Sequence, residues 1–405
     1  MVELPQVRKF FLYSLGTVVA IVIIVAVALP FAVPPLVKTI AERKLAEFGF
    51  PSQVSMRLAY GWNRGPNLSG NLQLSVNGSP WNLWADFGAS FGEWHAEAHL
   101  PETEFSESEP TIASLLEKYP VKAVSNLVFS GKIAMDASVK RTRKMPVPVW
   151  NARIPIKDVA AGMTSNGKEI AIRGFSVTPS ASGIADHVDF QPIFLRTAMI
   201  DATGFTLSNL VASVRATEKS LLVTEASADF CKGKVALYSV FIDPAKLNTG
   251  FTLFVDDVDA GEVLSHISGF NGTASGRLHG KIKLFIRDAG KAIRFSDAFL
   301  YSTPGETGKL QMTDPQPITD NLGLAGMSQG ECDNVANALS DLDYSVLKLN
   351  LKRGEGQNVA LTVHLEGTAT RKGITVPVNL QITLNSKLEH LINTGLKLPD
   401  KLKGK

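Results

Sequence analysis

Beyond Phe50, the chain is dominated by a regular alternation of apolar and polar positions. A period of two places successive side chains on opposite faces of a β-strand. The segments that show this pattern most clearly are Leu68–Val76, Phe129–Val139, Leu278–Ile286, Val359–Leu365 and Ile374–Leu384. Turn signals such as Asn166–Gly167 and Pro304–Gly305 separate such runs at hairpin spacing. The pattern predicts a mainly β fold of about 17 antiparallel strands.

Helical patterns are few and short. Asp259 with Glu262, and Ser386 with Glu389, have the spacing of a capping box, in which two side chains satisfy free N–H groups at a helix start. The predicted helices cover residues 111–119, 260–268, 333–340 and 387–394. Four short helices cannot cover the apolar faces of so many strands. Those faces therefore pack against another sheet in a β-sandwich, or they line a curled sheet with an apolar hollow. Alternation alone fits both, and base rates for all-β domains favour the sandwich.

The N-terminal segment has a different pattern. No charged residue occurs between Phe10 and Val37, and about 20 apolar residues in a helix span a bilayer core of about 30 Å. Arg8 and Lys9 precede the segment, which predicts a cytoplasmic N-terminus. A cleaved signal peptide ending near Ala28 is the alternative, but the apolar run is longer than a signal sequence needs.

Composition excludes several classes of function. The net charge of +3 over 405 residues implies no strong polyanion partner, so nucleic acid binding is not predicted. Charged residues at 20% and apolar residues at 45% are typical of a folded chain. Only two cysteines are present, Cys231 and Cys332, and nothing in the sequence indicates whether they pair.

Candidate chemistry is sparse. His95, Glu97 and His99 occupy one face of a predicted strand and form a weak metal-site candidate, for which a solvated strand face is the simpler interpretation. No nucleophile elbow and no set of nucleophile, base and orienting acid is present. We therefore predict no catalytic residues, no cofactor and no enzymatic activity.

The C-terminal third contains an ordered series of soft motifs built from Gly, Asp and alternating apolar residues. In order, they are Asp259–Leu264, Gly276–Leu284, Ile293–Leu300, Leu342–Leu349 and Val376–Asn385. This order resembles the C-terminal domain of YdbH-like proteins, within the broader AsmA-like group of envelope proteins. The same domain has carried the label "dicarboxylate transport". The resemblance covers roughly residues 250 to 395, and the middle of the chain is generically AsmA-like.

The resemblance implies a bacterial inner-membrane anchor, a periplasmic β-groove and phospholipid transport or lipid homeostasis between the inner and outer membranes. It therefore favours the groove: an N-terminal transmembrane helix followed by an elongated antiparallel β-sheet curled into a groove. YdbH-like proteins are usually much longer than this chain, so an outer-membrane lipoprotein or a homo-oligomer is an expected partner, beside phospholipid acyl chains and the inner membrane. The alternatives are a structural assembly factor for the outer membrane and a solute (dicarboxylate) transport component.

We predict a cytoplasmic tail (1–9), a transmembrane helix (10–33), an amphipathic connector (34–49), an AsmA-like β-rich region (50–250) and a YdbH-like β domain (251–405). The predicted groove lining consists of apolar residues at alternating strand positions. They are Leu72, Leu74, Val76, Ile133, Met135, Leu278, Ile282, Leu284, Val359, Leu361, Val363, Val376, Val378, Leu380 and Ile382.

Overall fold

The computed structural model describes the greater part of the chain after residue 51. The described residues are 39, 42–43, 52–62, 66–76, 81–90, 92–106, 108, 125–165, 168–184, 187–202, 205–217, 220–243, 248–267, 270–287, 292–316, 319, 328–353, 358–371 and 374–387. The chain divides into two compact units. The N-terminal unit comprises Met1–Ile200, Val211–Thr224 and Asp243–Ala245, and the C-terminal unit comprises Asp201–Leu210, Glu225–Ile242 and Lys246–Lys405.

The N-terminal unit is built on an antiparallel ladder. Its strands are β1 (Ser52–Trp62), β2 (Pro66–Val76), β3 (Asn82–Ser90), β4 (Glu93–Ser106), β5 (Ser125–Arg141), β6 (Val149–Arg153), β7 (Ile156–Ser165), β8 (Lys168–Val177), β9 (Ser180–Ile184), β10 (His187–Phe190) and β11 (Ile193–Ala202). Strands β1 to β5 pair in sequence order as a meander. The downstream part of β5 pairs with β6 and its upstream part pairs with β7. Beyond them, β6 pairs with β9 and β7 with β8.

Proline divides three long strands of this ladder. Pro155 separates β6 from β7, Pro179 separates β8 from β9, and Pro192 separates β10 from β11. Proline has no N–H for the ladder, so it interrupts pairing wherever it falls inside a strand. The carbonyl groups remain in use: the Ala134 N–H donates to Pro155 O and the Ile154 N–H donates to Pro179 O, at 2.9 and 3.0 Å. The ladder thus continues across each interruption.

Strands β12 (Phe205–Ala216) and β13 (Leu221–Phe230) have residues in both units. The C-terminal unit continues with β14 (Gly233–Ile242), β15 (Thr249–Asp259), β16 (Gly272–Ala274), β17 (Arg277–Arg287), β18 (Ala292–Ser302), β19 (Gly308–Met312), β20 (Leu342–Arg353), β21 (Asn358–Arg371) and β22 (Ile374–Lys387). Its main ladder runs β14–β15–β17–β18–β20–β21–β22, antiparallel throughout. The short strands β16 and β19 pair with each other, and β19 pairs with the start of β20.

Two helices whose bounds fall within the described residues accompany this ladder. Helix α1 (Ala260–Ser265) begins at Asp259, whose carboxylate accepts a hydrogen bond from the Glu262 N–H at 2.9 Å. The predicted start of this helix is confirmed, and its end comes three residues earlier than predicted. Helix α2 (Gln329–Ser340) begins at a capping box formed by Ser328 and Glu331, four residues before the predicted start.

The second predicted capping box, at Ser386, is wrong because β22 continues through Lys387 in register with β21. The predicted helix over 111–119 lies outside the described residues. So does the predicted transmembrane segment over 10–33, which remains a prediction. Among the described residues, no helix is both long enough and apolar enough to cross a bilayer. The prediction of a mainly β, antiparallel fold with few helices is confirmed.

The sharpest steric constraint in the C-terminal ladder falls at Gly280 in β17. Its φ is +154°, and a Cβ there would lie 1.9 Å from the Phe299 carbonyl oxygen of the neighbouring strand. Gly162 in β7 is a matched glycine, because a Cβ there would meet nothing within 4 Å.

We expect Gly280→Ala to lower the thermal unfolding midpoint of the full chain by roughly 5 °C or more, because backbone must move to admit the methyl group. Gly162→Ala should leave the midpoint within about 2 °C of the wild type. Circular dichroism of both variants in the same mild detergent measures the difference. Equal midpoints would show that the β17–β18 register is not fixed at Gly280.

Candidate functional site

The apolar side chains of the C-terminal ladder form rows that run across the strands. Direct antiparallel partners share a face, so each chain of paired residues defines one row. One row consists of Val235, Val255, Gly280, Leu300, Leu349, Val363 and Ile382. The next consists of Leu253, Ile282, Ala298, Leu351, Leu361 and Leu384. These rows make a continuous apolar face along the ladder.

The length of this face suits hydrocarbon chains. The longer row crosses six gaps between strands, which at about 4.8 Å each amount to about 29 Å. An acyl chain occupies about half of a bilayer core that is about 30 Å thick, or about 15 Å. The face of this unit alone is therefore longer than an extended acyl chain.

The two helices close part of the face. Leu264 of α1 and Leu339 of α2 are almost fully buried, at 5% and 1% exposure, in the main cluster of this unit. Between the helices and the sheet lies a small apolar cavity of about 50 Å³, lined by Leu264, Ile267, Phe270, Leu310, Met312, Leu339, Leu347, Val363, Leu365 and Ile382. Pockets for drug-sized ligands usually have about 300–1,000 Å³. The part of the apolar face beneath the helices therefore belongs to the packed hydrophobic core and has no room for a ligand of that size.

Another part of the face is less covered. Phe251 and Leu253 of β15, Ile282 and Leu284 of β17, and Leu351 of β20 are half-buried. Phe251 pairs with Leu284, and Leu253 pairs with Ile282, so these side chains are neighbours on the apolar face. We call these five residues the apolar strip. An apolar ligand could contact these side chains with less rearrangement than the fully buried residues beneath the helices.

Carboxylate groups form hydrogen bonds or an ion pair at both ends of α2. At its start, Glu331 Oε2 accepts from the Ser328 hydroxyl and backbone N–H, at 2.7 and 2.8 Å, and these bonds lower the pKa of Glu331. At its end, Asp341 Oδ1 lies 2.9 Å from Lys309 Nζ of β19 and accepts from Gln311 Nε2 at 3.2 Å. The hydrogen bond from Lys309 is the largest cause of the lowered pKa of Asp341.

A buried tyrosine joins the same region to the sheet. Tyr344 is 1% exposed, and its hydroxyl donates to the Ser275 carbonyl oxygen at 2.5 Å. Burial raises the pKa of Tyr344 to about 12, so the hydroxyl stays protonated and keeps donating. Burial also raises the pKa of the Cys231 thiol to about 12, and both Cys231 and Cys332 are free thiols.

The apolar face of the N-terminal unit differs from that of the C-terminal unit in the size of its side chains. Five neighbouring strands, β3, β4, β5, β6 and β9, each contribute one alanine to a row of directly paired residues. These alanines are Ala85, Ala98, Ala137, Ala152 and Ala181. The row beside it alternates large and small residues, and Phe87 and Trp150 extend over Gly70 and Gly183, respectively. Ala85, Ala98 and Ala152 are at most 5% exposed, so this face is closely packed.

Most of the predicted lining residues are buried or half-buried on these apolar faces. Fully buried are Leu72, Leu74, Met135, Leu278, Val359, Leu361 and Ile382. Half-buried are Ile133, Ile282, Leu284, Val363, Val378 and Leu380. Val376, on the last strand, is 47% exposed. The side chain of Val76 lies outside the described residues. Whether any of these residues contacts a lipid remains a prediction.

Sequence reasoning missed several members of the same rows, chiefly Leu253, Val255, Leu300, Leu347 and Leu349. In β15 the alternation of apolar and polar residues is incomplete, because the apolar Phe254 occupies a position on the polar face. In β20 the period was shifted by a bulge between Tyr344 and Val346.

The weak metal candidate does not form a metal-binding cluster. His95, Glu97 and His99 alternate along β4 with the buried Ala96 and Ala98, as predicted. His99 instead lies 2.6 Å from Asp136 and its ring centroid is 5.0 Å from that of Trp84. Within the described parts of the chain, no group of three His, Cys, Asp or Glu side chains is arranged to hold a metal ion.

Comparison with known families agrees with this architecture. The family model described as YdbH-like, intermembrane phospholipid transport protein YdbH, matches residues 95–396. The chain belongs to the YdbH-like family. No curated protein and no solved structure shows significant similarity to it. The YdbH-like match covers the alanine row from Ala98 onward, the C-terminal ladder and both helices, and the family implies transport of phospholipids between membranes.

The carboxylates at the two ends of α2 predict an acid-sensitive helix. A carboxyl group whose pKa is lowered by folding stabilises the folded state above its ordinary pKa, near 4, and this contribution is lost as the pH falls through the lowered value. We therefore expect the amide protection of α2 in hydrogen exchange, corrected for intrinsic rates, to fall between pH 5 and pH 3. Glu331→Gln should show less protection at pH 5 and a weaker dependence on pH. An unchanged pH dependence in that variant would contradict a role for Glu331.

Proposed function

We propose that the apolar faces of the two ladders guide phospholipid acyl chains between the inner and outer membranes of a bacterial envelope. Membership of the YdbH-like family supports this function. The observation that carries the proposal is the alignment of apolar side chains in rows that run along the ladder, across successive strands. A chain molecule lying along such a row contacts one strand after another without leaving apolar surface.

The energetics suit passive conduction. Burying apolar surface stabilises a bound chain by roughly 25 cal/mol per Å², and this term has no preferred direction. The rows contain Leu, Ile, Val, Ala and Gly and present no charged side chain at the paired positions. A lipid therefore loses little free energy when it moves by one strand spacing. Hydrogen bonds to the chain would instead fix it at one point.

The rest of the arrangement is proposed on the same basis. The apolar segment over 10–33 anchors the chain in the inner membrane with its N-terminus in the cytoplasm, and the ladders lie in the periplasm, curled into a groove. An outer-membrane lipoprotein or a second copy of the chain completes the path. No catalytic group takes part.

Two alternatives are less well supported. A dicarboxylate carrier needs clustered cations facing its ligand, but Lys283 faces away from the apolar rows and lies 3.6 Å from Asp297. Arg277 donates to the carbonyl oxygens of Lys232 and Asp257. A non-conducting assembly factor is favoured by the packed cavity of about 50 Å³ beneath the helices and by the close packing of the N-terminal alanine row.

Two neighbouring residues of β15 allow a direct test. Leu253 and Thr252 are both half-buried, yet they lie on opposite faces, paired with Ile282 and Lys283, respectively. A photo-crosslinking amino acid at position 253 of the full chain, irradiated after extraction in gentle detergent so that no bilayer is present, should capture co-purified phospholipid, because it lies in the apolar strip. The same group at position 252 should capture several-fold less. Mass spectrometry of the adducts measures both yields.

Leu284→Glu provides the control for this test. It places a charge in the apolar strip and should reduce the phospholipid adduct at position 253 while the thermal midpoint changes little. Leu278→Glu should instead unfold the unit, because Leu278 is 0% exposed. The buried Leu361 and Ile382 are unsuitable for the same reason. Equal phospholipid yields at positions 252 and 253, or none at 253, would refute the groove.

A further inference from the structure

The polar face of the C-terminal ladder carries an unusual number of exposed aromatic side chains. Tyr238 is 53% exposed, Phe241 61%, Phe254 46% and Phe285 38%. Burying a large apolar side chain stabilises a fold, and such side chains rarely gather on the outside of a sheet without a partner. Single exposed apolar residues need no explanation, but a contiguous group indicates a contact surface.

These rings are contiguous with others on the same face. The ring centroids of Tyr238 and Phe254 are 5.9 Å apart, and those of Phe299 and Tyr301 are stacked at 5.5 Å. Between the two pairs lies Lys281, which is the direct cross-strand partner of Phe254 on one side and of Phe299 on the other. Three directly paired positions on neighbouring strands are therefore occupied by an aromatic residue, a lysine and a second aromatic residue.

Two lysines of this surface, Lys281 and Lys348, lack acidic partners among the described residues. Lys348 lies opposite Tyr301, and neither Lys348 nor Lys281 makes an ion pair within the part of the chain that the structure describes. Lys283, on the same face, does pair, with Asp297 at 3.6 Å. We call Tyr238, Phe254, Lys281, Phe299, Tyr301 and Lys348 the aromatic–lysine patch.

We propose that the aromatic–lysine patch docks on the surface of a bilayer that contains anionic phospholipids. Aromatic rings are favoured at the interface between lipid head groups and acyl chains, and ammonium groups are attracted to anionic head groups. The two types of side chain are interleaved, so both can act at once on a fluid surface that supplies negative charge everywhere. A folded protein partner would instead need acidic groups placed opposite each lysine. The patch lies on the face opposite the apolar rows, so docking leaves those rows free.

The test uses the full chain held in nanodiscs of neutral phosphatidylcholine, so that its apolar N-terminal segment is already accommodated. Flotation with a second set of vesicles then measures docking, with vesicles of phosphatidylcholine alone or with added phosphatidylglycerol. We expect docking only to the anionic vesicles, and weaker docking as salt is raised. The variant K281E/K348E should lose about 25-fold or more in affinity, at about five-fold for each lysine neutralised or reversed.

Matched variants separate docking from folding and from charge in general. Phe254→Ser should weaken docking, whereas Phe194→Ser, at a 66% exposed position of the N-terminal unit, should not. Lys144→Glu, in an exposed loop, should have little effect compared with Lys281→Glu. Thermal midpoints check that each variant is folded. Equal docking to neutral and anionic vesicles, or equal losses in the patch and control variants, would overturn the proposal. Loss of lipid adducts at position 253 would contradict the proposed lipid path and not the docking of the patch, so failure of one proposal is distinguishable from failure of the other.

Discussion

Strand register is the constraint on which the rest of this structure depends. Alternation within one strand places apolar residues on one face, but only register aligns them with those of the neighbouring strands. In the C-terminal unit, Val255, Leu300, Leu349 and Ile382 come from well-separated parts of the sequence and share one row. A shift of one residue in any strand would turn that strand's apolar side chains to the opposite face. Features such as Gly280, where the neighbouring backbone leaves no room for a Cβ, hold the register.

The same register explains how one unit combines a packed core with a more accessible strip. The helices cover only part of the apolar face: α1 directly follows β15, and α2 lies between β19 and β20 in the sequence. Leu342 and Leu347 of the sheet and Leu339 of α2 are at most 1% exposed. Away from the helices, Leu253 and Leu284 remain half-buried. One continuous apolar surface thus contains both a closely packed part and a part with more exposed side chains.

Sequence reasoning predicted the elements whose physical cause is local. Alternation identified β2, β17, β21 and β22, and the Asp259 cap identified the start of α1. It failed where the cause lies elsewhere in the fold. Ser386 has the spacing of a capping box, but pairing of β22 with β21 keeps it in a strand. The 22 strands of the described residues exceed the predicted number partly because prolines divide three long strands. Cross-strand partners, and therefore the apolar rows and the aromatic–lysine patch, need register that no single segment contains.

The central claim is that phospholipid lies on the apolar face, and the lipid content of the purified protein tests it most directly. The full chain is extracted in a gentle detergent, its fold is checked by circular dichroism, and lipid that co-purifies is quantified by mass spectrometry. The account predicts phospholipid in a reproducible molar ratio to the protein, with no preference for one acyl chain. Folded protein that repeatedly carries no phospholipid would contradict it and indicate a closed core.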